Sequence, residues 1–293
     1  VDTTTIQSTA SEIKNDTTAL RDDAAVWHKH DLMTWICPVD YHVQHQDFIN
    51  RHQTGTGQWF LQDTEFQAWD RSKGATLFCP GIPGAGKTIM SALVIDHLLR
   101  TQHVADDPVT FIYCNYKRQS EQSAKHMLSS ILRQIIDIQP GVPKLVQDFY
   151  TFHTTKRITP SPDEIRKVLE AASKDLRGLT IIIDALDECE TRARQEFLSA
   201  VEILCKQCEV RLLATSRPLP TVQAHPIFSS KPMLEVKASD EDLEKYIISR
   251  ASELHSRVMS KPGLLEDLVT STIRTTGGMY AQPLLRPDGK GDH

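Results

Sequence analysis

The sequence predicts an α/β fold: a mostly parallel five-stranded sheet flanked by helices, with an N-terminal helix before it and a small helical segment after it. Three observations carry that prediction. From residue 75 onward, short apolar runs alternate with segments whose apolar residues recur at helical spacing. A glycine-rich turn, Gly81 to Thr88, separates the first apolar run from the first of those helices. Two later apolar runs end abruptly in polar residues, at Asp184-Ala185-Leu186-Asp187-Glu188 and at Thr215-Ser216-Arg217. Continuous apolar runs mark strands buried on both faces, as parallel strands are when crossover helices cover them.

The elements follow in order. In residues 1–35, Ile6, Ile13, Leu20 and Trp27 recur every seventh position, with Ala10 and Ala24 four residues after two of them. This is a thin apolar stripe on an amphipathic helix. It suits a lone helix packed on its own domain or one strand of a coiled coil, through which the chain would self-associate. Residues 36–73 form a lead-in segment containing Trp59, Phe60, Phe66 and Trp69, and its aromatic content implies packing on the body of the protein. The core spans 74–238. Strands are expected at Ala75–Cys79, Val109–Cys114, Leu179–Leu186, Val210–Thr215 and Met233–Val236. Helices are expected at Lys87–Arg100, Ser123–Ile138, Pro162–Ala172 and Arg192–Cys205. Ser161, with Glu164 three residues on, is a capping-box pair before the third of these. A helical segment occupies 239–281, starting with Asp240–Leu254. The tail 282–293 has little apolar content and is expected to be disordered.

The 293 residues suit one large domain or two modest ones. A net charge of −5 argues against a nucleic-acid partner held through phosphate contacts. No apolar run is long enough for a membrane span, which needs about 18 residues. No export signal is visible, so the six cysteines are expected to be reduced thiols in a cytoplasmic protein. Cys205 and Cys208 lack a second pair at zinc spacing and suit a helix face better than a metal. His42, His45 and His52 with Cys37 match no metal-ligand pattern.

Gly81-Ile82-Pro83-Gly84-Ala85-Gly86-Lys87-Thr88 fits the phosphate-loop pattern G-x-x-x-x-G-K-[ST] in its strand-to-helix context. Composition alone would produce the pattern in roughly 1% of chains this long, so it is a specific signal. Side chains at Gly84 and Gly86 would obstruct a triphosphate approaching the backbone. Pro83 has no N–H, so the cradling amides run from Gly84 through Ala85 and Gly86 to Thr88. They point from a helix N-terminus, which favours an anion. Lys87 should neutralise the β- and γ-phosphates, and the Thr88 hydroxyl should ligate Mg²⁺.

Leu179 to Ile183 is a buried strand that ends at Asp184. Ligands of open parallel sheets bind beyond the strands' carboxyl ends, so Asp184 should share the crevice with the loop and hold Mg²⁺. Asp187 or Glu188 would then orient or deprotonate the attacking water, Glu188 being the better base; the alternative is that both merely cap the next helix. Arg217 would either reach the γ-phosphate or pair with a neighbouring carboxylate.

With these elements in hand, the chain resembles the NACHT-type P-loop NTPases of the STAND class, and within them the nephrocystin-3-like N-terminal domain of fungal NACHT proteins. The resemblance rests on Gly81–Thr88, Thr180–Glu188 and Leu213-Ala214-Thr215-Ser216-Arg217-Pro218. Trp35-Ile36-Cys37-Pro38, Gly55 to Leu61, Phe111 to Tyr116 and Ile131-Leu132-Arg133 extend it over roughly 35–281. It implies a P-loop NTPase fold, ATP or GTP with Mg²⁺, and a signalling switch that exchanges diphosphate for triphosphate. From Gln282-Pro283 onward the sequence leaves the family pattern, so the winged-helix subdomain and sensor repeats are expected to be missing.

Two functions fit: a switch that hydrolyses nucleoside triphosphate slowly, and an assembly module that holds nucleotide without significant turnover. A nucleic-acid motor is disfavoured by the acidic balance. No Asn-Lys-x-Asp guanine-reading element is present, which leans toward ATP, although the resembled family includes GTP binders.

Overall fold

The structure, a computed structural model, describes residues 27–101, 107–174, 176–252, 263, 266–267 and 269–271. The stripe from Ile6 to Leu20 lies outside the described residues, as do the 282–293 tail and most of the segment beyond Ser252. Residues 27–36 are helical (α1). Then come α2 (Tyr41–Arg51), α3 (Gln58–Gln62), α4 (Thr64–Arg71), β1 (Thr76–Pro80), α5 (Lys87–Thr101), β2 (Val109–Tyr113) and α6 (Ala124–Asp137). They are followed by α7 (Lys144–Lys156), α8 (Pro162–Ser173), β3 (Leu179–Asp184), α9 (Thr191–Gln207), β4 (Val210–Ser216), α10 (Pro220–Gln223) and α11 (Asp240–Ser252).

Four strands form a parallel sheet in the order β1-β4-β3-β2. The segment expected as a fifth strand runs along the outer edge of β1. Phe78 N donates to Pro232 O (3.1 Å), Leu234 N to Phe78 O (3.0 Å) and Val236 N to Pro80 O (2.7 Å). Only Phe78 and Met233 meet in ladder geometry there. β2 is the opposite edge, and α6 covers it: the Gln134 amide accepts from Phe111 N and donates to Phe111 O, both at 2.9 Å. A side chain thereby takes the place of a missing neighbour strand.

Every residue of β3 and β4 is buried. One covering group is α5 with α2, which also packs on β2; the other is α6 and α9, with α8 against both. Parallel strands need this double cover, and the apolar runs in the sequence are its signature. The lead-in supplies α2, α3 and α4. Phe60 and Phe66 are buried against each other, and Trp69 donates its indole N–H to Leu212 O (3.0 Å). The capping box before α8 is present: Ser161 N donates to Glu164 Oε2 (2.9 Å) and Glu164 N to Ser161 Oγ (3.3 Å). Helix α7 was not among the expected elements. Among its residues only Val146 and His153 are buried, so its apolar pattern is weak. Contacts with α8 and with the Trp35 ring (Tyr150, 5.2 Å between centroids) hold it. Among the described residues no helix is long and apolar enough to cross a membrane.

Candidate functional site

The loop between β1 and α5 is shaped by backbone demands. Gly84 and Gly86 adopt φ of 78° and 86°, a region where side chains are strained. Gly81 answers a different constraint: a Cβ there would lie 2.7 Å from Val236 O. Gly81 N donates to Ser216 O (3.0 Å), which ties the loop to the end of β4. Lys87 folds back across the loop, and its Nζ donates to Gly81 O (2.8 Å) and Ile82 O (3.0 Å). Its partners are carbonyls of its own loop, so the ammonium is positioned without a neutralising bond to a carboxylate. Partial burial lowers its pKa, and the charges of Asp187 and Asp184 oppose that shift.

Asp184 closes β3 and is buried. Three hydroxyls converge on it. Thr88 Oγ1 donates to Oδ2 (2.7 Å), while Thr215 Oγ1 (2.7 Å) and Ser91 Oγ (2.9 Å) donate to Oδ1. Burial raises the Asp184 pKa, and the hydroxyl bonds pull it partly back. The next residue, Ala185, sits at φ 55°, an uncommon conformation for a side chain with a Cβ. This left-handed residue turns the chain out of the sheet toward Asp187 and Glu188.

Those two carboxylates have different surroundings. Both Asp187 oxygens are engaged by Arg217: Oδ1 accepts from the backbone N (2.8 Å) and Oδ2 meets Nε (2.9 Å). The carboxylate-paired alternative for Arg217 is therefore the arrangement in this structure. Glu188 Oε2 accepts from Tyr116 N (3.1 Å). Burial raises the Glu188 pKa; the Tyr116 bond lowers it and the charges of Asp187 and Asp184 raise it further. Glu188, Asp184, Thr88 and Arg51 border one cavity of about 320 Å³, and Gln44, on its wall, has a buried carbonyl oxygen with no partner.

The donor set suits a hard divalent cation. Among the described residues no cluster of three or more His, Cys, Asp or Glu could hold a metal. One hydroxyl and one carboxylate 2.7 Å apart leave the remaining positions to phosphate oxygens and water, the coordination Mg²⁺ prefers.

A second pocket, of about 230 Å³, shares Arg51 and Ile89 with the first. Gly86, Ile89, Met90 and Leu93 form one wall and His52 and Thr56 another. Neither Trp59 nor Phe60 borders it, and Phe60 is a core residue. α11 reaches this region through Asp242 Oδ2, which accepts from Gly57 N (2.9 Å).

Residues 55–217 match the family described as Nephrocystin 3, N-terminal. That span is more than half the chain and contains the loop, Asp184, Glu188 and Arg217. The chain belongs to the nephrocystin 3 N-terminal family. The NACHT-type P-loop resemblance drawn from the motifs is thereby borne out.

This nephrocystin 3 N-terminal chain is similar in part to other proteins. It is 26% identical over 171 residues to the vegetative incompatibility protein HET-E-1 of Podospora anserina. The match takes in 56% of this chain and 12% of that relative, so the chain spans a small fraction of the relative's length. Among solved structures, the Aeropyrum pernix ORC1 protein in complex with DNA is similar at TM-score 0.45 and 20% identity, over 69% of this chain and 49% of that one. Drosophila ORC bound to DNA is similar at TM-score 0.42 and 14% identity, over 73% and 50%.

In this nephrocystin 3 N-terminal domain, two polar residues at the site were missed from the sequence. Ser91 lies three residues after Thr88, one helical turn on, so its spacing was a usable signal. Thr215 was visible only as a polar strand end, because its bond to Asp184 crosses between adjacent strands.

Proposed function

We propose that this chain binds a nucleoside triphosphate with Mg²⁺ and hydrolyses it slowly, as the nucleotide switch of a signalling protein. The observation that carries this reading is the 2.7 Å contact between Thr88 and Asp184, made across 96 positions of sequence immediately beside Lys87. The amides from Gly84 to Thr88 receive the phosphates, and Lys87 turns from the loop carbonyls to their oxygens. Thr88 and Asp184 would hold Mg²⁺, which would supply charge neutralisation to the phosphates. Glu188 is the general base: its raised pKa suits proton acceptance nearer neutrality, and it borders the same cavity. Asp187 holds Arg217, whose half-exposed guanidinium would exchange that carboxylate for the γ-phosphate and so read triphosphate against diphosphate. The largely apolar pocket beside Gly86 takes the base of ATP or GTP. A net charge of −5 supports a reading without a nucleic-acid partner. We place the protein in the cytoplasm, where reduced thiols persist.

Mg²⁺-dependent phosphate release tests the reading, with Lys87→Ala and Glu188→Gln alongside the parent chain. Loss of general-base action lowers turnover by about 100-fold or more while triphosphate still binds. Equal rates in all three proteins sink it. The Arg217–Asp187 pair favours a second reading, an assembly module that holds nucleotide without turnover, because it withdraws one of the two carboxylates from the water. Tight binding without phosphate release, together with a mass that changes with nucleotide, would select that reading.

A further inference from the structure

Two thiols lie behind the turn that carries Glu188, and nothing proposed so far uses them. Cys114 directly follows β2, and Cys189 directly follows Glu188. Their sulfurs are 2.9 Å apart and both side chains are buried. A disulfide needs the sulfurs at about 2.04 Å, so a movement of about 0.9 Å joins them. Backbone bonds frame the pair: Cys114 N donates to Asp184 O (3.1 Å) and Cys189 N to Leu186 O (3.3 Å). The segment after Cys114 already grips the Glu188 turn, through Tyr116 N to Glu188 Oε2 (3.1 Å) and Gln119 Nε2 to Glu188 O (2.8 Å). Cys114 also borders the cavity that Glu188 and Asp184 line.

We propose that Cys114 and Cys189 form a reversible intramolecular disulfide on exposure to hydrogen peroxide, and that the bond restrains the Glu188 turn and slows triphosphate hydrolysis. The Cys114 thiolate attacks the peroxide oxygen; an S–O bond forms, the O–O bond breaks, and the leaving hydroxide takes a proton to become water. The Cys189 thiolate then attacks the sulfenic sulfur; the S–S bond forms, the S–O bond breaks, and a second water leaves. Two thiols lose two protons and two electrons, and one peroxide becomes two waters. The hydrogen bond shared with Cys189 and burial both hold the Cys114 pKa above its ordinary value. The functional consequence rests on the role proposed for Glu188; formation of the bond does not. A base must stand within hydrogen-bond reach of its water, and displacement by about 1 Å can cost up to about 100-fold in rate.

The test treats the whole chain with hydrogen peroxide, blocks the remaining thiols and maps cross-linked peptides by mass. A Cys114–Cys189 peptide is expected, absent after dithiothreitol. In the cross-linked protein triphosphate hydrolysis should fall about tenfold or more and return on reduction, with nucleotide affinity changed less than about threefold because residues 81–88 are untouched. Cys189→Ala should keep hydrolysis and make it insensitive to peroxide. Absence of the cross-link when the half-buried Cys205 and Cys208 have been oxidised overturns the proposal. So does an unchanged rate in fully cross-linked protein. A reduced protein that never hydrolyses triphosphate would instead sink the functional reading, and the cross-link map would still decide the chemistry.

Discussion

Replacing Asp184 with Asn separates stability from function at the proposed metal site. The carboxylate is buried and accepts three hydroxyl bonds. An amide can keep all three: its oxygen accepts from Ser91 and Thr215, and its NH₂ donates to Thr88 once that hydroxyl turns round. What disappears is a buried charge whose folded-state pKa burial holds above its ordinary value of 3.8. An acid with a raised folded pKa penalises the folded state progressively as pH climbs from the unfolded value through the folded one. Below both values the penalty vanishes. Each unit of upward shift corresponds to about 1.4 kcal/mol, and about 1 kcal/mol moves Tm by roughly 2–4 °C in a domain of this size. Without ligand, Asp184→Asn should therefore melt above the parent at pH 7, with the gap closing toward pH 4. With Mg²⁺ and nucleotide the order should reverse. Ligand at 100 times its Kd stabilises the parent by about 2.7 kcal/mol, and the variant should lose most of that. Differential scanning calorimetry across pH, with and without Mg²⁺ and nucleotide, measures both effects. A variant that melts below the parent at pH 7 without ligand would refute the buried-charge reasoning. Undiminished Mg²⁺-dependent stabilisation would refute the metal assignment.

Other perturbations give distinct outcomes. Lys87→Met removes two bonds to loop carbonyls, so the fold should persist, while charge-assisted contacts worth about 1.5–3 kcal/mol each are lost and calorimetric nucleotide affinity falls about 100-fold. Gly81→Ala places a Cβ 2.7 Å from the Val236 carbonyl, and overpacking against backbone should cost about 1–3 kcal/mol in denaturant titration. Arg211→Met strands the Asp70 and Asp107 carboxylates that its guanidinium meets at 3.3 and 3.1 Å. The two carboxylates are partly exposed, so the loss should be about 2 kcal/mol, below the 3–5 typical of a fully buried pair, and should leave nucleotide affinity unchanged.

Much of the site was legible because its chemistry is locally encoded. The loop demands Gly84 and Gly86 for their positive φ, and Lys87 and Thr88 stand next to them in sequence. Asp184 was legible because a strand buried on both faces leaves a run of apolar residues, and the first carboxylate after it falls at the sheet's carboxyl edge. The role of Gly81 was not readable as a packing constraint, since the carbonyl it makes room for belongs to Val236, far along the chain. Nor was the choice between the two readings of Arg217, because a guanidinium's partner depends on which carboxylate the Ala185 turn presents to it.

The sequence alone determined the loop, the strand ends and the helix start, because each is a property of a few consecutive residues. Tertiary structure decided the pairings between distant residues: Asp184 with Ser91 and Thr215, Asp187 with Arg217, Cys114 with Cys189, and Gln134 along the free edge of β2. Periodicity reports which face of an element is buried. It carries no information on which two side chains, brought together by strand order β1-β4-β3-β2, come within hydrogen-bond distance.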